Sequence, residues 1–239
     1  MKYSLVIPCY NEEKNISLLI ERSRKFLLKD NFQLILVENG STDNSKEVFK
    51  EFENKHKNLK VVYVEKNLGY GNGILSGLEN ADGDILAWTH ADLQTDINDV
   101  LTGFKLIDKN DISNFVKGKR MGRNFFDKFF THSMSYICSL LLREKIFDIN
   151  AQPKIFHKSF YQKICRNAPL DFSLDLYFLL MAKKLKYNVI EFPVFFNKRL
   201  HGEAKGGGSI KTKLKLSIRT FSYITKFLSN KKIHDNNST

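Results

Sequence analysis

Cysteine is scarce in this chain: Cys9, Cys138 and Cys165 stand far apart in 239 residues, with no CxxC pair. That spacing argues against a disulfide framework or a zinc site, and it fits a reducing compartment. Long apolar runs are missing too. A membrane span needs roughly 18 such residues; the nearest run, 129–142, is short and contains His132 and Ser133, so it reads as a buried or membrane-facing helix. The N-terminus runs straight into KYSLVIPCYNEE, with no basic region ahead of a long apolar stretch, so no signal peptide is expected. No internal repeat is visible. No helix-turn-helix, RRM or zinc-finger signature occurs either, and nucleic acid is not expected as a partner.

What is present is basic charge. Lys and Arg number 38 against 26 Asp and Glu, a net charge of +12. Such a balance points to an anionic partner or serves general solubility. With 42% hydrophobic residues the chain can build a full core. Its length suits one large domain, or one domain with an appended segment.

The first half alternates between two periodicities. YSLVIP, FQLILV, LKVVYVE, GDILAWT and DISNFVKG read as strands; residues 14–28, 45–55, 71–79 and 96–108 read as helices between them. Near-continuous apolar strands alternating with helices predict a parallel sheet covered on both faces. Ligands in such sheets sit beyond the carboxyl ends of the strands. The second half is less regular. Helices are expected over 124–142, 173–185 and 209–228, AQPKIF is extended, and YNVIEFPVFF is a strand whose Pro193 predicts an edge position. HGEAKGGGS reads as a flexible loop and HDNNST as a disordered tail.

The strand ends carry the polar chemistry. VIPCYNEE supplies Pro8, Tyr10 and Glu12, and VENGSTDNS supplies Glu38 and Asn39. A tyrosine ring can stack on a base, and a carboxylate can accept from base or ribose donors. Gly40 and the hydroxyls of Ser41–Ser45 are explained by a turn and a helix cap; Glu38 and Asn39 are better read as ligand contacts. KNLGYGNGILSGL holds Gly69, Gly71, Gly73 and Gly77 but lacks the dinucleotide-binding pattern, so its glycines suggest close approach of backbone to a ligand. In THADLQTD, Asp92 and Gln94 offer the oxygens that Mg²⁺ or Mn²⁺ prefers; the alternative is a helix cap made by Asp92, Thr95 or Asp96.

Taken in order, VIPCYNEE, VENGSTDNS, KNLGYGNG, HADLQ and RLHGEAKGGGS resemble family 2 glycosyltransferases, within them the dolichol-phosphate mannose synthase and bacterial polyprenyl-phosphate glycosyltransferase branch. The resemblance runs over roughly residues 3 to 215. It implies an α/β GT-A fold: a Rossmann-like, mainly parallel sheet flanked by helices, with a C-terminal amphipathic helix. Pro8, Tyr10, Glu12, Val37, Glu38, Asn39, Lys66, His90, Ala91 and Asp92 would hold a nucleotide sugar. The family's Asp-x-Asp becomes His90-Ala91-Asp92, so Asp92 and Gln94, joined by His90, would hold Mg²⁺ or Mn²⁺; imidazole suits softer metals better. Lys117, Lys119, Arg120 and Arg123 in KGKRMGRN would form a flexible loop after the fifth strand that receives the acceptor phosphate, with Arg199, Gly202 and Lys205 as the later Arg-x-x-Gly-x-x-Lys pattern. Asn150-Ala151-Gln152-Pro153-Lys154 departs from the branch's usual Thr-Ser-Gly-Phe-Arg stretch. Asp175 stands where relatives with hydroxyl acceptors place a general base; a phosphate acceptor needs none, and there Asp175 would position groups.

These readings imply a catalytic domain over 1–208, a basic amphipathic helix over 209–230 and a disordered tail over 231–239. Ile210, Leu214, Ile218, Phe221, Ile224 and Leu228 fall on one helical face, with Lys211, Lys215, Arg219 and Lys226 opposite; the apolar face packs on the domain or lies on a membrane surface. The expected activity is inverting, metal-dependent transfer of a sugar from a GDP- or UDP-sugar to a polyprenyl-phosphate-type lipid, catalysed around Asp92 and Asp175, on the cytoplasmic face of the membrane by peripheral attachment. Transfer to a hydroxyl of a lipid-linked or cell-surface glycan, and a degenerate nucleotide-sugar binder, are the competing readings.

Overall fold

The computed structural model describes residues 1–108, 111–122, 125–197, 199 and 217–229. Its seven-stranded sheet has the order β3-β2-β1-β4-β6-β5-β7. The strands are β1 (Tyr3–Cys9), β2 (Phe32–Asn39), β3 (Leu59–Val64), β4 (Ile85–Trp88), β5 (Asn114–Met121), β6 (Lys154–His157) and β7 (Asn188–Phe195). β1 pairs in parallel with β2 and β4, β2 with β3, and β5 with β7; β6 runs antiparallel between β4 and β5. The sheet is therefore mainly parallel, as expected, and β7 with its Pro193 lies at the edge.

Successive side chains on a strand point to opposite faces, and here both faces are apolar. Leu5, Ile7, Leu34, Leu36, Ile85, Ala87, Val116 and Ile155 enter one core; Val6, Ile35, Val37, Leu86, Trp88, Phe115 and Phe156 enter the other. Helices α1 (Glu13–Arg22), α2 (Arg24–Leu27), α3 (Ser45–Phe52) and α5 (Asp99–Leu106) cover the first face through residues such as Ile16, Phe26, Phe49 and Phe104. Helices α4 (Tyr70–Glu79), α6 (Phe125–Leu142), α7 (Lys158–Ile164) and α8 (Leu174–Lys184) cover the second. Trp88 anchors this second core, edge-on to Phe178 at 4.7 Å and to Phe156 at 5.5 Å. Each such ring contributes roughly 1.5–3 kcal/mol by burial.

The structure corrects several expected elements. The helix over 14–28 is interrupted at Ser23, whose buried hydroxyl donates to the Leu19 carbonyl at 2.6 Å, a back-bond that bends helices. The fifth strand continues to Met121, so Lys117, Lys119 and Arg120 belong to β5 and not to a loop. Helix α7 was not expected. It starts at His157, whose Nδ1 accepts from the Ser159 N–H at 3.2 Å, and histidine is outside the usual set of capping residues. A final helix, α9, spans residues 217–229. It docks through Ile224, fully buried, with Tyr223, Phe227 and Leu228 against the same core, while Ile218 is 62% exposed. The packed face is thus rotated from the predicted one, because Tyr223 and Phe227 replace Ile218. The boundary at 208 and the tail after 230 lie outside the described residues.

Candidate active site

The carboxyl ends of β1, β2 and β4 lie side by side. The loops leaving β1 and β2 are laced together. The Asn11 N–H donates to Ser41 Oγ at 3.1 Å, and the Glu12 N–H to Ser45 Oγ at 2.9 Å. Asn11 also accepts from the Thr42 N–H at 2.8 Å. The serine hydroxyls expected as helix caps are cross-loop acceptors, and no side-chain bond from Asn44, the N-cap residue, caps α3. Glu38 accepts from the Ser41 N–H at 2.6 Å, and Asn39 donates to the Gly69 carbonyl at 3.1 Å. Both therefore hold loops, leaving the buried Asn39 Oδ1 without a partner. Val37 is wholly buried, so a ligand could meet its backbone only. Pro8, Tyr10 and Glu12 are partly exposed at the same end, and Lys66 is exposed beyond β3.

The glycines after β3 do not wait for a ligand. A Cβ on Gly69 or Gly71 would come within 2.5 Å of the Leu170 or Pro169 carbonyl oxygen, and one on Gly77 within 2.3 Å of Val6. The close approach is of α4 to the 169–171 segment and to the sheet. Tyr70, at the start of α4, stacks on Phe172 at 4.8 Å and tilts toward His90 at 5.7 Å.

Beyond β4 the chain turns sharply at Leu93 (φ +56°), and Asp92 Oδ1 accepts from the Gln94 N–H at 3.2 Å. Asp92 Oδ2 and Gln94 Oε1 then meet one group: Arg199 Nη2, at 2.7 and 3.4 Å. Two oxygen donors converging on one positive charge is the chemistry a hard divalent cation requires. Among the described residues no three His, Cys, Asp or Glu side chains gather as a metal cluster, so a bound ion would draw its other oxygens from substrate or water. His90 precedes this pair. Burial holds its imidazole below the ordinary value; Lys154 and Arg120 push the same way, and Asp92 and Asp175 oppose them.

Under the site lies a sealed polar cluster. Lys154 and Asp175 form an ion pair, with side chains 0% and 2% exposed. Gln152 Nε2 donates to Asp175 Oδ1 at 2.8 Å and to the Tyr70 hydroxyl at 3.2 Å. Lys154 also donates to the Ile149 carbonyl at 2.9 Å. Burial pushes the Lys154 ammonium down to about 8, against the pull of Asp175. Burial, with Asp175 beside it, holds the Tyr70 phenol well above its usual range. Sequence reasoning noticed Gln152 and Lys154 only as a departure from a pattern. A lysine inside the apolar run PKIF was the available signal, since buried lysines are rare unless paired.

The basic residues expected to meet phosphate have different surroundings. Lys117 is fully buried and paired with Glu191 at 2.9 Å, which removes it from any surface loop. Arg120 is gripped by Asp148 through its side chain and, at 2.8 Å, its backbone N–H. Burial works against the Asp148 charge, but Arg120 beside it holds the carboxyl below its ordinary range. Arg199 joins the metal-ligand candidates. Arg123 and Lys205 lie outside the described residues.

Comparison with known proteins gives this site a lineage. The family model described as "Glycosyl transferase family 2" matches residues 4–172. An undecaprenyl-phosphate 4-deoxy-4-formamido-L-arabinose transferase of Proteus mirabilis is 40% identical over 96 residues, which are 39% of this chain and 29% of that protein; the chain thus covers under a third of that relative's length. Among solved structures, glucosyl-3-phosphoglycerate synthase of Mycobacterium tuberculosis, in complex with Mn²⁺, UDP and glucosyl-3-phosphoglycerate, superposes with a TM-score of 0.71 at 16% identity, over 92% of this chain and 77% of that one. A mannosyltransferase of Pyrobaculum calidifontis with GDP-mannose and Mn²⁺ gives 0.63 at 19% identity, over 87% and 58%. These likenesses bear out the GT-A fold.

Proposed function

The chain belongs to glycosyl transferase family 2, and on that premise we propose that it moves a sugar, with inversion, from a UDP- or GDP-sugar to a polyprenyl-phosphate-type lipid. The observation that carries the reading is the convergence of Asp92 and Gln94 on a single cationic group at the end of β4. A divalent ion there, Mg²⁺ or Mn²⁺, would neutralise the departing diphosphate. Asp92 and Gln94 would hold it, with His90 beside them. The two solved neighbours carry different bases with Mn²⁺, which supports the metal and leaves UDP and GDP as the donors to compare.

The surroundings of Asp175 support this acceptor. A general base must reach the proton it takes, whereas Asp175 is sealed against Lys154 and Gln152. That favours an acceptor already anionic, such as the lipid phosphate named for the Proteus relative. Asp175 then positions Gln152 and Tyr70. Arg120, fixed by Asp148, offers a guanidinium to the acceptor phosphate, joined by Arg123 and Lys205, while Arg199 adds positive charge near the transferring phosphates. A lipid acceptor places the work at a membrane surface, on the side that supplies nucleotide sugar. Among the described residues no helix is long and apolar enough to cross, and Tyr136, Leu140 and Leu141 of α6 are exposed.

The test is transfer from UDP- and GDP-sugars to a short polyprenyl phosphate, with and without Mn²⁺. Metal-dependent product from one donor class is expected, and Asp92→Ala should lower it about 10²–10³-fold. Undiminished transfer by Asp92→Ala would remove the metal assignment; transfer only to a glycan hydroxyl would overturn the acceptor.

A further inference from the structure

Asp92 is expected to bind a metal, yet a guanidinium is already there. Arg199 Nη2 lies 2.7 Å from Asp92 Oδ2 and 3.4 Å from Gln94 Oε1, so one nitrogen touches both donors. The contact is built, not incidental. The Asn197 N–H donates to the Gln94 carbonyl at 2.7 Å, and Gln94 Nε2 donates back to the Asn197 carbonyl at 3.0 Å. These bonds fix the chain two residues before Arg199. The side chains of Arg199 and Asp92 are 19% and 13% exposed, against 43% and 53% for the surface pair Lys2–Asp82. A half-buried carboxylate without a cation would be costly.

We propose that Arg199 is a resident counter-cation in the metal seat, and that the divalent ion displaces it only when a nucleoside diphosphate arrives to receive the guanidinium. The inference rests on the metal reading above and deepens it. While Arg199 holds Asp92 Oδ2, an incoming ion loses its best ligand and meets a like charge, so the resting protein binds free metal weakly. A diphosphate changes both conditions. It accepts the guanidinium, whose planar fork matches phosphate oxygens, and it supplies oxygens to the ion. Metal and nucleotide then bind with positive coupling, and each must tighten the other by the same factor. Such couplings typically amount to roughly 5–150-fold.

The experiment measures Mn²⁺ binding by the loss of its free electron-paramagnetic-resonance signal at fixed ionic strength. The full chain is titrated alone, with UDP and with GDP, and metal bound by free nucleotide is subtracted. Wild type should bind Mn²⁺ weakly alone and at least about tenfold more tightly with the preferred nucleotide. Arg199→Ala and Arg199→Gln should bind Mn²⁺ about tenfold more tightly than wild type without nucleotide, and the nucleotide should add less. Methylguanidinium should weaken Mn²⁺ binding to Arg199→Ala, whereas methylammonium at equal concentration should not; equal weakening by both would reduce the effect to bulk charge and overturn the proposal. If both Arg199 variants bind Mn²⁺ no better than wild type while Asp92→Ala loses binding, the counter-cation is wrong and the metal site stands. If wild type binds no Mn²⁺ even with nucleotide, the metal reading itself fails.

Discussion

Two ion pairs, one at the mouth of the site and one beneath it, look alike in chemistry and differ in burial. Arg199–Asp92 keeps 19% and 13% of its side-chain surface, while Lys154–Asp175 keeps 0% and 2%. Water can still reach the first pair, so under the proposal above its partners would exchange for a metal ion and a phosphate. The second is closed by Gln152, the Ile149 carbonyl and the Trp88 ring, 5.5 Å from Lys154 Nζ. Its partners can only stay together. The lesson is that a carboxylate in an active-site crevice is not thereby a reacting group: access decides, and access separates Asp92 from Asp175.

The sharpest way to break this contrast is to remove one partner of each pair. Lys154→Ala leaves a buried carboxylate uncompensated and should cost about 3–5 kcal/mol in denaturant unfolding, whereas Lys154→Met with Asp175→Leu should recover much of it. Equal stability of the single variant and wild type would show that the cluster is not sealed. Asp92→Ala should instead spare the fold and lower transfer about 10²–10³-fold, the magnitude of losing one charge-stabilising group, as read from initial rates beside a thermal melt. Gly71→Ala tests what keeps the two regions adjacent. Its Cβ would meet backbone at 2.5 Å, so α4 must shift away from the 169–171 segment. That should cost about 1–3 kcal/mol as overpacking and weaken nucleotide binding through Tyr70 and Asn39.

The smallest effect concerns a carboxylate whose neighbour is another carboxylate. Burial, with Asp96 beside it, raises Asp99 to about 6 from 3.8. A raised carboxyl pKa means that the folded chain binds more protons than the unfolded chain between those values. Its contribution is thus fully present below about pH 3.8 and is lost as pH rises through about 6. Asp99→Asn should therefore be more stabilising at pH 7 than at pH 3.5, and unfolding curves at the two pH values check the sign.

Much of this was legible before any coordinate. The alternation of apolar strands with helices gave the sheet its helix cover on both faces, and Pro193 placed β7 at the edge. Asp92 and Gln94 stood out because polar residues cluster after an apolar strand. Other expectations failed for identifiable reasons. Lys117 and Arg120 looked like loop cations because charge suggests solvent, yet Glu191 and Asp148, 74 and 28 residues away in sequence, pull them into pairs. The hydroxyls of Ser41 and Ser45 looked like caps because capping is local, yet their donors lie on the loop after β1.

Local pattern therefore determined the elements, the sheet and the strand end that bears the site, because periodicity and turn chemistry act over a few residues. Only the tertiary structure decided which charges meet. Gln152, Lys154 and Asp175 converge because β6 runs antiparallel beside β4 and α8 covers that face. Arg199 reaches Asp92 because the chain beyond β7 is bonded to Gln94. A charge's role depends on its partner and on the water left around it, and neither is written in the residues beside it.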